Sequence, residues 1–135
     1  MNYLVDANVL SEATKPDPLD KVIDWLRIHE RQIVVDPIIL GEIRFGIYLT
    51  PDGARKRRLE RWFSEGIEKI NCLPWDAATG VRWAGLLAQL RATGESMPIK
   101  DSLIAATALV HRLTLVTRNE RDFAKAGVKI INPFV

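Results

Sequence analysis

Short apolar runs alternate with longer stretches of helical periodicity along the whole chain. Residues 2–6, with Tyr3, Leu4 and Val5, read as a buried strand that ends at a carboxylate, Asp6. Residues 8–13 read as a first helical turn, closed by the breakers Pro16 and Pro18. Leu19, Val22, Ile23 and Leu26 recur at helical spacing with Trp25 alongside, which predicts an amphipathic helix over 19–30. The β-branched stretch 32–36 predicts a second strand. Asp36-Pro37 then opens a helix, with proline in its first turn, that runs to Leu49. Thr50-Pro51-Asp52-Gly53 breaks the chain before a long charged helix through Lys69. A short strand over 70–73 and a helix over 75–92 follow, the latter with Val81, Trp83, Ala84, Leu87 and Leu90 as its apolar members. Residues 93–96 form a loop, 98–111 a strongly apolar helix, 114–117 a strand, 119–126 a short helix and 129–131 a last strand.

Strands alternating with helices predict a parallel α/β sheet with helices on both faces. No repeat, low-complexity tract or linker divides the chain, so residues 1–135 are expected to form one domain. In such sheets function gathers at the carboxyl ends of the strands, near the point where the strand order reverses. Asp6 and Asn119 fall at two such ends, and Glu42 and Asp101 near helix starts that could face the same rim.

Those four residues change the picture most. A carboxylate inside an apolar pattern costs free energy unless something pairs with it. If Asp6, Glu42 and Asp101 converged to within about 5 Å, each pair would repel by roughly 3 kcal/mol at an effective dielectric of about 20. A bound cation relieves that repulsion, and an all-oxygen donor set selects a hard ion, Mg²⁺ or Mn²⁺, over zinc. The two histidines, His29 and His111, lie away from these stretches, so neither a zinc site nor a Ser-His-Asp set is expected. The glycines are scattered, and none makes a phosphate loop. A carboxylate-held divalent ion suits phosphodiester hydrolysis, because it neutralises a phosphoryl oxygen and acidifies water. Each acid also has a bland reading. Asp6 could merely cap a helix, Glu42 could pair with Arg44 or Arg118, and Asp101 could be a first-turn carboxylate favoured by the helix dipole.

Composition and charge narrow this further. Apolar residues make up 47% and charged residues 27% of the chain, an ordinary globular balance with no stretch long enough to span a bilayer and no signal-like segment at the start. The single cysteine, Cys72, excludes an intrachain disulfide, so a cytoplasmic location is expected. A net charge of +2 is too small to identify a nucleic-acid partner. Its distribution says more. Arg55, Lys56, Arg57, Arg58 and Arg61 cluster, opposed only by Glu60, and could track RNA, dock a partner or simply face solvent. Trp25, Ile47, Tyr48, Trp62, Phe63 and Trp83 exceed what one small core obviously needs, which predicts self-association.

Four segments together resemble the PIN-domain family: 4–12 (Leu-Val-Asp-Ala-Asn-Val-Leu-Ser-Glu), 40–46 around Glu42, 101–108 beginning Asp101-Ser102-Leu103-Ile104, and 116–123 from Val116-Thr117-Arg118-Asn119 to Asp122-Phe123. Within that family the chain is similar to the VapC and FitB-type toxins of bacterial toxin–antitoxin pairs, and the likeness extends to the closing Asn132-Pro133-Phe134. The resemblance implies a three-layer sandwich around a parallel sheet of four or five strands. It implies a Mg²⁺- or Mn²⁺-dependent endoribonuclease that cuts RNA, often tRNA or rRNA, and arrests growth until an antitoxin protein blocks it. A homodimer and a larger assembly with the antitoxin are implied, and no membrane partner. Carried onto this chain, the first three acids are Asp6, Glu42 and Asp101, with Asn8, Ser11 and Thr117 as supporting polar residues.

The departure is at the fourth position, where many relatives have Asp and this chain has Asn119. Asp122 is the alternative fourth acid. Three residues along a helix, it is expected about 300° around the axis, roughly 4.5 Å further on, and so away from the site. Two other classes stay open: a PIN-fold RNA- or partner-binding module with weak catalysis, and a phospho-acceptor receiver domain. The receiver would need a paired acid at the first strand end, where only Asp6 stands, and a central-strand Asp, where Asp36 is followed at once by Pro37.

Overall fold

The computed structural model describes residues 2–135. Five parallel strands, β1 (Tyr3–Val5), β2 (Ile33–Val35), β3 (Asn71–Cys72), β4 (Thr114–Val116) and β5 (Ile130–Ile131), lie in the order β3-β2-β1-β4-β5. β1 pairs with β2 on one side (Tyr3 with Ile33) and β4 on the other (Tyr3 with Thr114), so the strand order reverses between β1 and β4. Leu4, Val5, Val35, Leu115 and Val116 are wholly buried in the middle of the sheet. Helices flank both faces, as the alternating pattern predicts.

Four helices place the chemistry. Helix α1 (Ala7–Leu10) starts directly after β1 and passes into a 3-10 turn over Ser11–Thr14. After α2 (Asp20–Ile28), α3 (Pro37–Leu49) begins where Asp36 caps it, accepting from Ile39 N–H at 2.9 Å, with Pro37 at its first turn. α6 (Ile99–His111) buries Ile104 together with Ser102, Ala105, Ala106, Thr107 and Ala108, small residues that let it lie close against its neighbours. It ends at Arg112, the one non-glycine residue with positive φ (54°) among those described. α7 (Glu120–Ala124) follows β4.

Two expectations need correction. The charged helix predicted through Lys69 stops earlier: α4 (Ala54–Glu65) ends at Gly66, and residues 67–69 form a 3-10 turn. The excess of apolar surface is real but lies elsewhere. Ile47 and Phe63 are core. Trp25 packs on Tyr3 and stacks on His29 at 4.3 Å, and Trp62 packs against the core. Trp83, on α5 (Ala77–Ala92), donates to Ser102 Oγ at 2.9 Å. Of the six, Tyr48 is the exposed one, joined along α3 by Phe45 and Leu49 and elsewhere by Val81 and Ile99.

Candidate active site

Asp6 ends β1 at the strand-order reversal, 4% exposed. Its Oδ1 accepts from Ala7 N–H at 2.8 Å, which caps α1, and its Oδ2 accepts from the Thr117 hydroxyl at 2.8 Å. Thr117 follows β4 and accepts in turn from Asn119 N–H at 3.0 Å. A carboxylate, a hydroxyl and an amide from the two strands that flank the reversal are thus tied in sequence. Asn8 closes the same corner: its side-chain oxygen accepts from Arg118 N–H at 3.2 Å, while its amide nitrogen lies 3.4 Å from Asp6 Oδ2.

Glu42 and Asp101 arrive from α3 and α6. Glu42 sits in the second turn of α3, a quarter of its side chain exposed, and pairs with Lys100 Nζ at 3.1 Å. Neither Arg44 nor Arg118 takes it: Arg44 pairs with Glu60 and lies over the Tyr48 ring, while Arg118 lies over Phe134 at 4.6 Å. Asp101, in the first turn of α6, is buried and accepts from Asn119 Nδ2 at 3.2 Å. Burial pushes all three carboxyls above the usual carboxylate range. The negative charge of Asp6 raises Glu42 and Asp101 further, and Lys100 opposes the rise at each of the three.

Asp122 does not point away. Asn119 Nδ2 donates to Asp122 Oδ2 at 3.1 Å as well as to Asp101, and the charge of Asp122 raises the Asp101 carboxyl. Three residues turn a helix through 300°, which is only 60° short of a full turn, so residues three apart share a face. Asn119 therefore clips two acids together instead of replacing one.

Ser11 is not brought into this network; it lines a cavity of about 190 Å³ with Ile43, Ile47, Arg55 and Trp62. Arg55, Lys56, Arg57, Arg58 and Arg61 project from α4. Lys56 pairs with Asp52 at 3.6 Å and Arg55 reaches the Thr14 carbonyl at 3.4 Å, whereas Arg57, Arg58 and Arg61 are exposed to solvent. His29 and His111 stay outside the site, as expected: His29 belongs to the Trp25–Tyr3 cluster, and His111 closes α6 at the end opposite Asp101.

Two residues escaped the sequence reading. Lys100 went unmarked, although a base directly preceding a candidate acid was a usable signal. Asp36, which the sequence marks as a helix opener and as an unsuitable receiver acid, is completely buried and accepts from the Thr107 hydroxyl at 2.7 Å.

The donor set suits a hard divalent ion: three desolvated carboxylates, a fourth at the edge, and side-chain amides between them. As they stand, no three acids, histidines or cysteines among the described residues close around one point. Lys100 holds Glu42, and Asn119 holds Asp101. A divalent ion at these oxygens would take the place of those donors, and the excess of negative charge favours that exchange.

Known proteins are similar to this chain over nearly its whole length. Residues 3–129 match the PIN domain family. Toxin FitB of Neisseria gonorrhoeae is 30% identical over 135 residues, covering 97% of each chain. The VapC ribonuclease Y4jK of Sinorhizobium fredii is 32% identical, covering 97% of this chain and 96% of its own. The crystal structure of FitAcB from Neisseria gonorrhoeae superposes with a TM-score of 0.91 at 30% identity, covering 98% of both chains.

Proposed function

Since the chain belongs to the PIN-domain family, we propose that it is a Mg²⁺- or Mn²⁺-dependent endoribonuclease, the toxin of a toxin–antitoxin pair. It hydrolyses RNA phosphodiesters, in tRNA or rRNA, and thereby stops translation and growth. One observation carries this reading. Asp6, Glu42 and Asp101 reach one rim from a strand end and two helices, at the point where the strand order reverses, and their charges disfavour one another. The ribonuclease name of one relative and the toxin name of another support the reaction class and the biological role.

In the proposed mechanism Asp6 and Asp101 would hold the ion, directly or through water, and the ion would supply charge neutralisation at the phosphoryl oxygens and acidify water. The protein's own part is orientation. Ala7 N–H and the Thr117 hydroxyl fix both oxygens of Asp6, so its carboxylate cannot rotate away. Asn119 sets Thr117 through its backbone and Asp101 through its side chain. Glu42, nearer the solvent and with its carboxyl raised by burial, completes that shell or, in the alternative role, positions the attacking water and accepts its proton. Water attacks phosphorus as the bond to the 3′ oxygen breaks and that oxygen takes a proton from solvent, leaving a 3′-hydroxyl and a 5′-phosphate.

Arg57, Arg58 and Arg61 of α4 offer a track for the RNA backbone or a dock for the antitoxin. The exposed Phe45, Tyr48 and Leu49 suit burial against a second copy of this chain. The binding-module alternative is separated from an enzyme by one assay. Purified protein is incubated with total RNA in Mg²⁺ and in chelator, and the product ends are identified. Discrete fragments with 5′-phosphates, formed in Mg²⁺ alone, are expected. Intact RNA in Mg²⁺ and in Mn²⁺ would refute the catalytic reading.

A further inference from the structure

One cation already stands among the acids. Lys100, in the first turn of α6 beside Asp101, reaches across to α3 and places Nζ 3.1 Å from Glu42 Oε2. Its charge acts on Asp6, Glu42 and Asp101 together. The nearby guanidinium groups are engaged elsewhere, Arg44 with Glu60 and Arg118 over Phe134. The ammonium therefore meets Glu42 where a divalent ion would need that same carboxylate.

Resting on the metal-dependent reading above, we propose that Lys100 is the resident counter-cation of the acid cluster. It holds Glu42 while no divalent ion is bound and competes with that ion for the same carboxylate. The side-chain chemistry suits the task. An ammonium is a compact point charge on a flexible stem, so it can leave one oxygen without dismantling a fork of hydrogen bonds. The Lys100 side chain is 54% exposed against 25% for Glu42, so a displaced Lys100 returns to water while Glu42 stays at the site. Three desolvated carboxylates on three elements repel one another when no cation is near. Lys100 bridges two of those elements, α3 and α6, and steadies their approach in the empty state.

The test combines calorimetric Mn²⁺ titration with thermal unfolding in chelator. The proteins are wild type, Lys100→Met, Lys100→Arg, Glu42→Gln and the double variant Glu42→Gln/Lys100→Met. Removing the competitor is expected to tighten Mn²⁺ binding by about 3–10-fold at low salt, an advantage that shrinks as salt is raised. Lys100→Met should unfold at a lower temperature than wild type in chelator and recover when Mn²⁺ is added. Lys100→Arg keeps the charge and should keep the stability of wild type in chelator, while its forked guanidinium should not bind Mn²⁺ more tightly than wild type does. In the Glu42→Gln background Lys100→Met should cost less unfolding temperature than it does in wild type, because the partner of the pair is already gone while Asp6 and Asp101 still lose a nearby charge. Where wild type binds Mn²⁺, an affinity of Lys100→Met within twofold of it overturns the proposal, and the metal reading survives. If wild type binds no Mn²⁺, the metal reading fails and the chelator arm decides the role of Lys100. A loss of stability that shrinks in Glu42→Gln sustains the counter-cation, and no loss, or a loss of equal size in both backgrounds, overturns it.

Discussion

Asp6 and Asp36 are built alike and serve differently. Each follows one of two adjacent parallel strands and caps the next helix, Asp6 through Ala7 N–H at 2.8 Å and Asp36 through Ile39 N–H at 2.9 Å. Each takes a threonine hydroxyl on its other oxygen, Thr117 at 2.8 Å and Thr107 at 2.7 Å. Burial raises both carboxyls. They differ in what lies beyond. Asp36 is sealed at 0% exposure, and the acid whose charge it feels is Asp6. Asp6 faces Glu42 and Asp101, because β1 borders the reversal of strand order and β2 does not. The cap and the threonine make a carboxylate rigid; its place in the sheet makes it available to a ligand.

The comparison predicts opposite outcomes for activity and stability. Asp101→Asn should abolish RNA cleavage, a loss of roughly 100-fold or more, since it removes a charge that acts only at the reaction site. Its stability in chelator should equal or exceed wild type, as one term of the repulsion is gone. A tenth or more of the wild-type rate would remove Asp101 from the metal site. Asp36→Ala should do the reverse. Losing a buried cap and orphaning Ile39 N–H and the Thr107 hydroxyl should cost about 2–3 kcal/mol in denaturant unfolding. Its cleavage rate per folded molecule should stay within a few-fold of wild type, and a hundredfold drop would place Asp36 in the chemistry.

Smaller effects sharpen the edges of the site. Exchanging Arg57, Arg58 and Arg61 for Ala should weaken RNA binding and flatten its salt dependence by about 0.7 in log–log slope per lost phosphate contact. An unchanged slope would assign that face of α4 to a protein partner or to solvent. Asp122→Asn should weaken Mg²⁺ activation several-fold, whereas Asn119→Asp should tighten it and lower stability in chelator, because it replaces the clip by a further like charge. Cleavage measured against Mg²⁺ concentration reads both. A collapse in Asp122→Asn with no change in Asn119→Asp would give the fourth place to Asp122 alone.

The smallest effect is that of pH on the metal-free protein. Asp6, Asp36, Glu42 and Asp101 have raised carboxyls, so the stability linked to them is present below the ordinary carboxylate range and is lost as pH rises through their elevated values. Asp76, held down by the Thr79 backbone N–H and hydroxyl, runs the other way and loses its contribution as pH falls through its lowered value. Unfolding temperature in chelator should thus rise as pH is lowered from neutral toward the ordinary carboxylate range, while the contribution of Asp76 is lost once pH falls below that range. Saturating Mg²⁺ should reverse the first trend, since it favours the ionised acids. An unfolding temperature that stays flat or falls all the way from neutral pH into the ordinary carboxylate range would mean that these carboxyls are not raised.

Much of this was legible beforehand. Asp36-Pro37 announced the start of α3 and the apolar spacing carried it to Leu49, because capping and periodicity are local. Asp6, Glu42 and Asp101 stood out as acids in apolar runs, and the structure carries all three to one rim. What escaped depends on contacts between distant segments. The Lys100–Glu42 pair exists because α3 packs on α6, and Thr107 meets Asp36 across the same contact. The side to which Asp122 turns depends on where α7 begins, and the exposed Phe45, Tyr48 and Leu49 on which face of α3 the core takes.

Calorimetric titration of Mn²⁺ into chelator-stripped wild type, Asp6→Asn and Asp36→Asn sets the two carboxylates directly against each other. Wild type and Asp36→Asn should bind Mn²⁺ with similar affinity, while Asp6→Asn should bind it at least tenfold more weakly. Equal binding by all three proteins, or loss of binding in Asp36→Asn with retention in Asp6→Asn, would contradict the account.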